Sequence, residues 1–457
     1  MAGGDRRRAG GDPPRRSRPA RRGRPGRSAT GRDAGRLRDV RSGPEPEPGG
    51  WGGAAPARRA RADRPAARPA PIGSSGRPRL SVPRKTIVHV ITTLEPGGAQ
   101  SLLIDVARRC DPEKYRIVIV YLHGRAMEID APRPEIVDLS RNGRISPFVF
   151  LPLARLLRRE KADLVHTHLV HADIFGQWAA WLGGVWRRVT SRHYGIDHKE
   201  GTRIYRMADR AARGAMAVVA VSRSVAEHLV LRQVVRKNRI AVIPNGIDVE
   251  RFDPSRFPRR ERDGPPVLGA VGRLHPQKGF VPLLEIFRGV IDAIGEARLE
   301  IVGEGVLRTH LEAGIRLLGL EGRVRLLGAV PFERMPERYA SWDLLLMPSR
   351  WEGFGLAAAE AMAMRRAVVA SPIEGLAELV VPGKTGVLIP PGAQQDWIDG
   401  IVDLLRDPDR RAAMGAAGRD RILRHFTIER TVDALERLYD DLLGDDGARS
   451  RPRKRDR

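Results

Sequence analysis

A strand–helix alternation that runs twice is what most limits the folds open to this chain. In "TIVHVITTLEPGGAQSLLIDVARRC" a β-branched run, Thr86 to Ile91, enters a glycine turn and then an amphipathic helix. "YRIVIVYL", "ADLVHTHL", "VTSRH", "AMAVVAVS" and "RIAVIPNG" read as further strands, with helical patterns over 148–161, 172–183, 203–213 and 224–235. From Ile243 to Pro266 turn-formers and charge interrupt the pattern. It restarts with strands in "PVLGAVGRL", "ARLEIVG", "RVRLLG", "DLLLMPS" and "AVVAS", and helices over 280–294, 307–318, 333–339 and 355–364. Alternation of this kind predicts two mostly parallel, doubly wound α/β sheets, with ligands bound outside the carboxyl ends of their strands. The expected organisation is one domain over 83–245, a linker over 246–266 and a second domain over 267–425. A helix over 426–444 then crosses the domains, presenting Val432, Leu435, Leu438 or Tyr439, and Leu442.

The formal charge of +26 suggests a nucleic-acid binder until it is divided along the chain. Residues 1–80 hold 21 Arg against 7 acids, whereas residues 251–457 carry an excess of only +2. Residues 1–82 are rich in Arg, Pro and Gly and poor in β-branched and aromatic side chains, so a disordered extension is expected, with a short basic tail at 445–457. Most of the basic excess thus belongs to segments with no core to build, and no nucleic-acid partner is expected. The single cysteine, Cys110, excludes an internal disulfide and fits a reducing, cytoplasmic setting. No apolar run reaches the roughly 18 residues of a membrane span, and no signal peptide is expected at the amino end.

Chemistry-bearing residues gather where the alternation puts strand ends. In "VGRLHPQKG", Arg273 and Lys278 share one strand-to-helix loop with Gly272 and Gly279. A guanidinium and an ammonium on such a loop suit a diphosphate, though two solvated loop cations would look the same. "EPGGAQS" sets Gly97 and Gly98 at the matching turn of the first half, before a helix whose dipole favours anions. In "PSRWEGFGLAAAEAMA", Glu352 precedes a helix and Glu360 lies on it, eight residues later. Such acids can accept hydrogen bonds from paired sugar hydroxyls, and the N–H groups of Phe354, Gly355 and Leu356 point at the helix start. "HTHLVHAD" supplies His166, His168 and His171, for which plain packing is the ordinary reading; no metal site is expected, for want of acidic or Cys partners at ligand spacing. Trp178 and Trp181, on one face of the next helix, are expected in the core.

Taken together, "VGRLHPQKGF", "VGEGVLRTHLEAGIRLLGLEGRVRLLG", "PSRWEGFGLAAAEAMA", "EGLAEL", "GKTGVLIPP" and "IPNGID" resemble the retaining, nucleotide-sugar-dependent glycosyltransferases of family 4, over about residues 85–443. The resemblance implies the GT-B fold, two Rossmann-like domains facing a central cleft. It implies that Arg273 and Lys278 hold the donor diphosphate, Glu352 the transferred sugar and Glu360 the ribose. Gly353, Phe354, Gly355 and Leu356 then meet sugar and phosphate, Gly98 closes on the diphosphate, and Gly97, His166, His168 and His171 face the acceptor. His193, in "TSRHYG", matches a cleft histidine, so the catalytic set expected is His193, Arg273, Lys278 and Glu352. No metal or other cofactor is implied. Two departures stand out: Arg365 and Ala367 replace the family's Gly-x-Pro entry to a strand, and Glu374 stands where a glycine is common.

The activity expected is hexosyl transfer from a nucleotide-diphosphate sugar to a glycan or lipid-linked acceptor with retention of configuration. "FLPLARLLRREKAD" sets Phe150, Leu153, Leu156 and Leu157 against Arg155, Arg158, Arg159 and Lys161, a pattern suited to peripheral contact with an anionic membrane at its inner face or to an ordinary sheet-covering helix. The rival activities are a sugar-nucleotide epimerase of the same fold and a non-catalytic sugar- or nucleic-acid-binding protein.

Overall fold

The computed structural model describes residues 83–127, 134–140, 143–193, 202–258 and 264–444. The expected extension, the basic tail and residues 259–263 of the linker lie outside them. The first lobe runs β1 (Lys85–Thr93), α1 (Gly98–Arg109), β2 (Tyr115–His123), β3 (Glu135–Asp138), α2 (Phe150–Arg159), β4 (Leu164–His168), α3 (Val170–Gly183), β5 (Arg188–Arg192), α4 (Arg203–Ala212), β6 (Ala217–Ala220), α5 (Arg223–Leu231) and β7 (Ile240–Val242). Its seven strands are all parallel, in the order β3-β2-β1-β4-β5-β6-β7. β-Branched residues alternate between the two faces of β1: Ile87 and Ile91 pack beneath α1, while Val88 and Val90 pack beneath α2 and α3.

The second lobe runs β8 (Val267–Val271), α6 (Phe280–Ile294), β9 (Arg298–Val302), α7 (Arg308–Leu317), β10 (Val324–Gly328), α8 (Met335–Ser341), β11 (Leu344–Met347), α9 (Leu356–Ala363), β12 (Ala367–Ala370), α10 (Glu374–Leu379), β13 (Gly386–Leu388), α11 (Gln394–Arg406) and α12 (Pro408–His425). Its six strands form a second parallel sheet, β10-β9-β8-β11-β12-β13. The two sheets match the expected fold class, two Rossmann-like units side by side. The alternation of the sequence did not bring out β3, β13 or the three helices α10–α12.

After α12 the chain returns to the first lobe. The Ile247 amide donates to the Phe426 carbonyl at 2.8 Å and the Ile428 amide to the Ile247 carbonyl at 3.0 Å. Gly246 is required at this seam, since a Cβ there would lie 2.3 Å from the Thr427 carbonyl oxygen. The closing helix, α13 (Ile428–Gly444), packs against α1 and the β1 face. Its buried stripe is Ile428, Val432, Leu435, Tyr439 and Leu443. Leu443 therefore takes the place expected of Leu442, as the 3.6-residue period carried on from Tyr439 requires.

The lobes touch over a continuous apolar cluster, from Val225 and Leu229 of the first to Met362, Leu376 and Leu379 of the second. Glu378 of α10 accepts the backbone amides of Arg223 and Ser224 at 2.9 and 2.7 Å, which caps α5 across the boundary. Arg251 grips Asp105 of α1 with two bonds of 2.9 Å. One expectation fails outright. Trp178 and Trp181 are 59% and 54% exposed, because α3 turns Asp173 and Gln177 toward the sheet instead.

Candidate functional site

The carboxyl ends of β8 and β11, neighbours in the second sheet, bring the cation loop and the acid loop together. Lys278 sits in a short turn, Pro276–Lys278, closed by Gly279 at φ 69°. A Cβ at Gly279 would lie 2.0 Å from the Pro348 carbonyl oxygen, so only glycine permits the approach. The Lys278 ammonium donates directly to Glu352, whose carboxylate also accepts the Ser349 hydroxyl at 3.0 Å. Gln277 stitches the two loops, accepting the Arg350 amide at 2.8 Å and donating to the Trp351 carbonyl at 3.0 Å. Arg273 is exposed beside them and reaches Gln277 Oε1 at 3.3 Å. The Glu352 amide donates to Glu374 Oε2 at 3.0 Å, so this glutamate supports the acid loop.

Gly353, Phe354 and Gly355 are buried, and Gly355 adopts φ 94° to start α9. Among the described residues no side chain caps α9, and none caps α1, whose preceding residue is Gly97. Helix starts without caps leave amide groups free to meet an anion. The two starts face one another: a Cβ on Gly98 would lie 2.7 Å from Leu356 Cδ1. Leu356 thereby belongs to the wall between the lobes as well as to the helix start.

Glu360 lies on the second turn of α9, in the seam between lobes, beside a cavity of about 10 Å³ that Gly98, Asp105, Gly246, Asp248 and Leu356 also line. Its Oε2 accepts the Tyr339 hydroxyl at 2.6 Å. Burial raises its pKa to about 7, against the opposing pull of that hydrogen bond and of Arg251. A carboxyl so placed is half ionised near neutrality, and one oxygen remains for a further donor.

On the first lobe, His193 stands at the exit of β5 and joins a chain of imidazoles. His168 Nδ1 lies 3.1 Å from His193 Nε2, and His168 Nε2 lies 2.9 Å from His89 Nδ1. Burial lowers the pKa of His89 to about 3 and of His193 to about 4, and holds His168 well below its usual range, so all three are neutral at pH 7. Neutral imidazole has one N–H and one lone pair, so the chain has two tautomeric arrangements, and the choice at His89 sets whether His193 Nδ1 donates or accepts. The chain borders a cavity of about 30 Å³, room for a water or two, together with Ser191, Asn245 and Thr431.

The other histidines divide. His166 is fully buried, with Tyr439 at 2.6 Å on Nδ1 and Ser191 at 2.8 Å on Nε2. Both nitrogens are spent on packing partners, so the expected acceptor-facing role does not fit it. His171 lies in the first turn of α3, half-buried, its pKa lowered by burial and by His123, away from the imidazole chain. His89, His166 and His168 offer nitrogens within 4.8 Å of one another. Yet the 2.9 Å between His89 and His168 is shorter than the roughly 3.3 Å between two nitrogens on a tetrahedral zinc. His89 and Tyr439 were missed because β1 and α13 are far from "HTH" in sequence; the parallel register that sets His89 beside His166 is a tertiary fact.

Two family profiles cover this architecture lobe by lobe. The profile for glycosyl transferases group 1 matches residues 252–421, and that for glycosyltransferase family 4 matches residues 96–251. Over 221 residues the chain is 35% identical to a D-inositol 3-phosphate glycosyltransferase of Corynebacterium urealyticum, covering 45% of this chain but only 52% of that protein. It is 28% identical to the 2-deoxystreptamine glucosyltransferase of Streptomyces kanamyceticus over 64% of this chain and 80% of that one. It is 29% identical to an Escherichia coli UDP-Gal:alpha-D-GlcNAc-diphosphoundecaprenol alpha-1,3-galactosyltransferase, over 64% of this chain and 79% of that one. Among solved structures, Anabaena HepE in complex with UDP and glucose superposes with a TM-score of 0.68 at 21% identity, covering 78% of this chain and 99% of that one. With both lobes, their sheets and their sequence profiles in agreement, the chain belongs to the family 4 glycosyltransferases of the group 1 type, built on the GT-B fold.

Proposed function

We propose that the protein moves a hexose from a nucleotide-diphosphate sugar to a glycan or lipid-linked acceptor, with retention of configuration and without a metal ion. Two observations support this: Lys278 pairs with Glu352 on the loop that leads into α9, and the uncapped starts of α1 and α9 meet in the seam between lobes. The diphosphate would lie against the amides at the starts of α1 and α9, with Arg273 and Lys278 neutralising charge as the sugar departs. Glu352 would then exchange its ammonium partner for a sugar hydroxyl, and the free oxygen of Glu360 would take a ribose hydroxyl. His193, uncharged, presents Nδ1 to the sugar or phosphate as a hydrogen-bonding group. No described side chain is an obvious covalent nucleophile, so the donor's phosphate oxygen takes the acceptor proton on the face from which the diphosphate leaves. The lipid-linked arm of the proposal draws on relatives whose names specify a diphosphoundecaprenol or a phosphatidylinositol mannoside acceptor.

The test is a panel of nucleotide sugars with release of nucleoside diphosphate as the readout. One donor should turn over, and Lys278→Ala or Glu352→Ala should cut transfer by about a hundredfold or more, with the far-ultraviolet spectrum unchanged. Equal turnover by the parent and both variants would remove the assignment of these residues.

A further inference from the structure

α3 buries two polar side chains among mostly small apolar ones and turns its two tryptophans outward. Asp173 and Gln177, one turn apart, are fully buried against the sheet, where Asp173 accepts the hydroxyls of Thr167 and Thr190 and lies 3.3 Å from Arg192. Gln177 donates to Thr167 Oγ1 and to the Val189 carbonyl, both at 3.2 Å. The same helix sends Trp178 and Trp181, three residues apart, into solvent, and Trp186 just beyond its end is 65% exposed. An isolated exposed apolar residue is ordinary, but three tryptophans on or beside one helix are not.

α2 and α4 flank this helix on either side. The Arg158 guanidinium of α2 donates to the Leu182 carbonyl, and the Arg192 guanidinium under α3 donates to the Ala208 carbonyl of α4 at 3.1 Å. α2 adds exposed Leu151 and, at its start, Phe148 (68% exposed), together with exposed Arg155, Arg158 and Arg159. α4 adds exposed Arg203, Arg206, Met207 and Arg210. The acids on these three helices, Asp173 and Asp209, are both turned to Arg192. The result is a tryptophan ridge between two rows of arginine with no exposed carboxylate on the three helices.

We propose that this face of the first lobe docks on an anionic bilayer. Indole is the side chain best suited to the headgroup zone, with an apolar body and one N–H for water or ester oxygens. Arginines on both flanks would meet lipid phosphates while their stems follow the apolar boundary. A nucleic acid would be met by the arginines and can stack a base on an indole, but it gives the exposed Phe148, Leu151 and Met207 beside the ridge no apolar medium to enter. The surface stands on exposed side chains alone. Its use in bringing a lipid-linked acceptor to the cleft rests on the function proposed above.

The experiment uses the full chain with vesicles of phosphatidylcholine alone, or mixed with phosphatidylglycerol carrying brominated acyl chains. Binding is scored by flotation and insertion by bromine quenching of tryptophan emission, at low salt and at about 0.5 M salt, where screening falls to roughly 4 Å. That salt suppresses purely electrostatic attachment by the Arg-rich residues 1–80. The parent should bind only the anionic vesicles and be quenched at both salts. Trp178→Ser/Trp181→Ser should lose more than half of the quenching and bind about tenfold more weakly at high salt. Arg155→Glu/Arg206→Glu should lose low-salt affinity by a similar factor. Turnover of the donor with a soluble acceptor should be unchanged in both, which separates a failed surface from a failed enzyme assignment. Equal quenching in parent and tryptophan variant, no quenching at all, or a tryptophan-dependent dimer that excludes vesicles would each overturn the proposal; displacement of bound vesicles by RNA without any quenching would assign the face to nucleic acid instead.

Discussion

At the scale of single residues, Glu360 carries the sharpest conflict between stability and use. Its pKa is raised from the ordinary 4.5 to about 7, so between those values the folded protein holds a proton that the unfolded chain has released. Stability therefore falls as pH rises through this window, and the cost is fully present above pH 7. Glu360→Gln keeps an acceptor for Tyr339 and removes the buried charge, so at pH 8 it should stabilise the fold by about 1–3 kcal/mol while reducing transfer. Urea unfolding of the pair at pH 5 and pH 8 checks it, since the gain should vanish at the lower value. The residues that depart from the family pattern have a physical reading too. Arg365 and Glu374 adopt φ 56° and 30°, conformations that favour glycine, the residue whose place each of them takes in the family pattern. The acid pair and the lysine were legible because eight residues of spacing and one loop fix them locally. The bond from Glu374 to the Glu352 amide was not, because it joins two strand ends through a strained turn.

At the scale of elements, the sequence marked strands well wherever β-branched residues ran together, and α6 begins and ends where its pattern predicts, at Phe280 and Ile294. It marked α3 as a helix but not its buried face, because only the threonines of β4 and β5 make the polar Asp173–Gln177 stripe tenable inside. The helix starts give an element-scale prediction. Gly98→Ala would press a methyl group against Leu356, whose side chain is already in the seam. Because α1 tolerates alanine well, thermal stability should change little, while the KM for donor should rise about tenfold and kcat less. Steady-state kinetics beside a melting curve checks this, and an unchanged KM would show that the lobes do not close on Gly98.

At the scale of the molecule, buried neutral histidines make the first lobe acid-sensitive. His89 and His193 have pKa values lowered from 6.5 to about 3 and about 4, so as pH falls below 6.5 the unfolded chain takes protons before the folded one. Stability should decline from pH 6.5 to 4, and His89→Asn should flatten that decline; melting temperatures at half-unit steps measure it, and a profile indifferent to the substitution would show that the imidazole chain is solvated. The second consequence lies in how the lobes are tied. The polypeptide passes between them twice, near Gly246 and near Thr427, and the two passes are bonded to each other through Ile247, Phe426 and Ile428. A double cord of this kind is built as a pivot would be: any opening of the halves would swing about it like the blades of scissors, with little freedom to slide or twist. Each such opening would return the two facing surfaces to the same alignment, with the fidelity of that return set by a contact too tight for any side chain at Gly246.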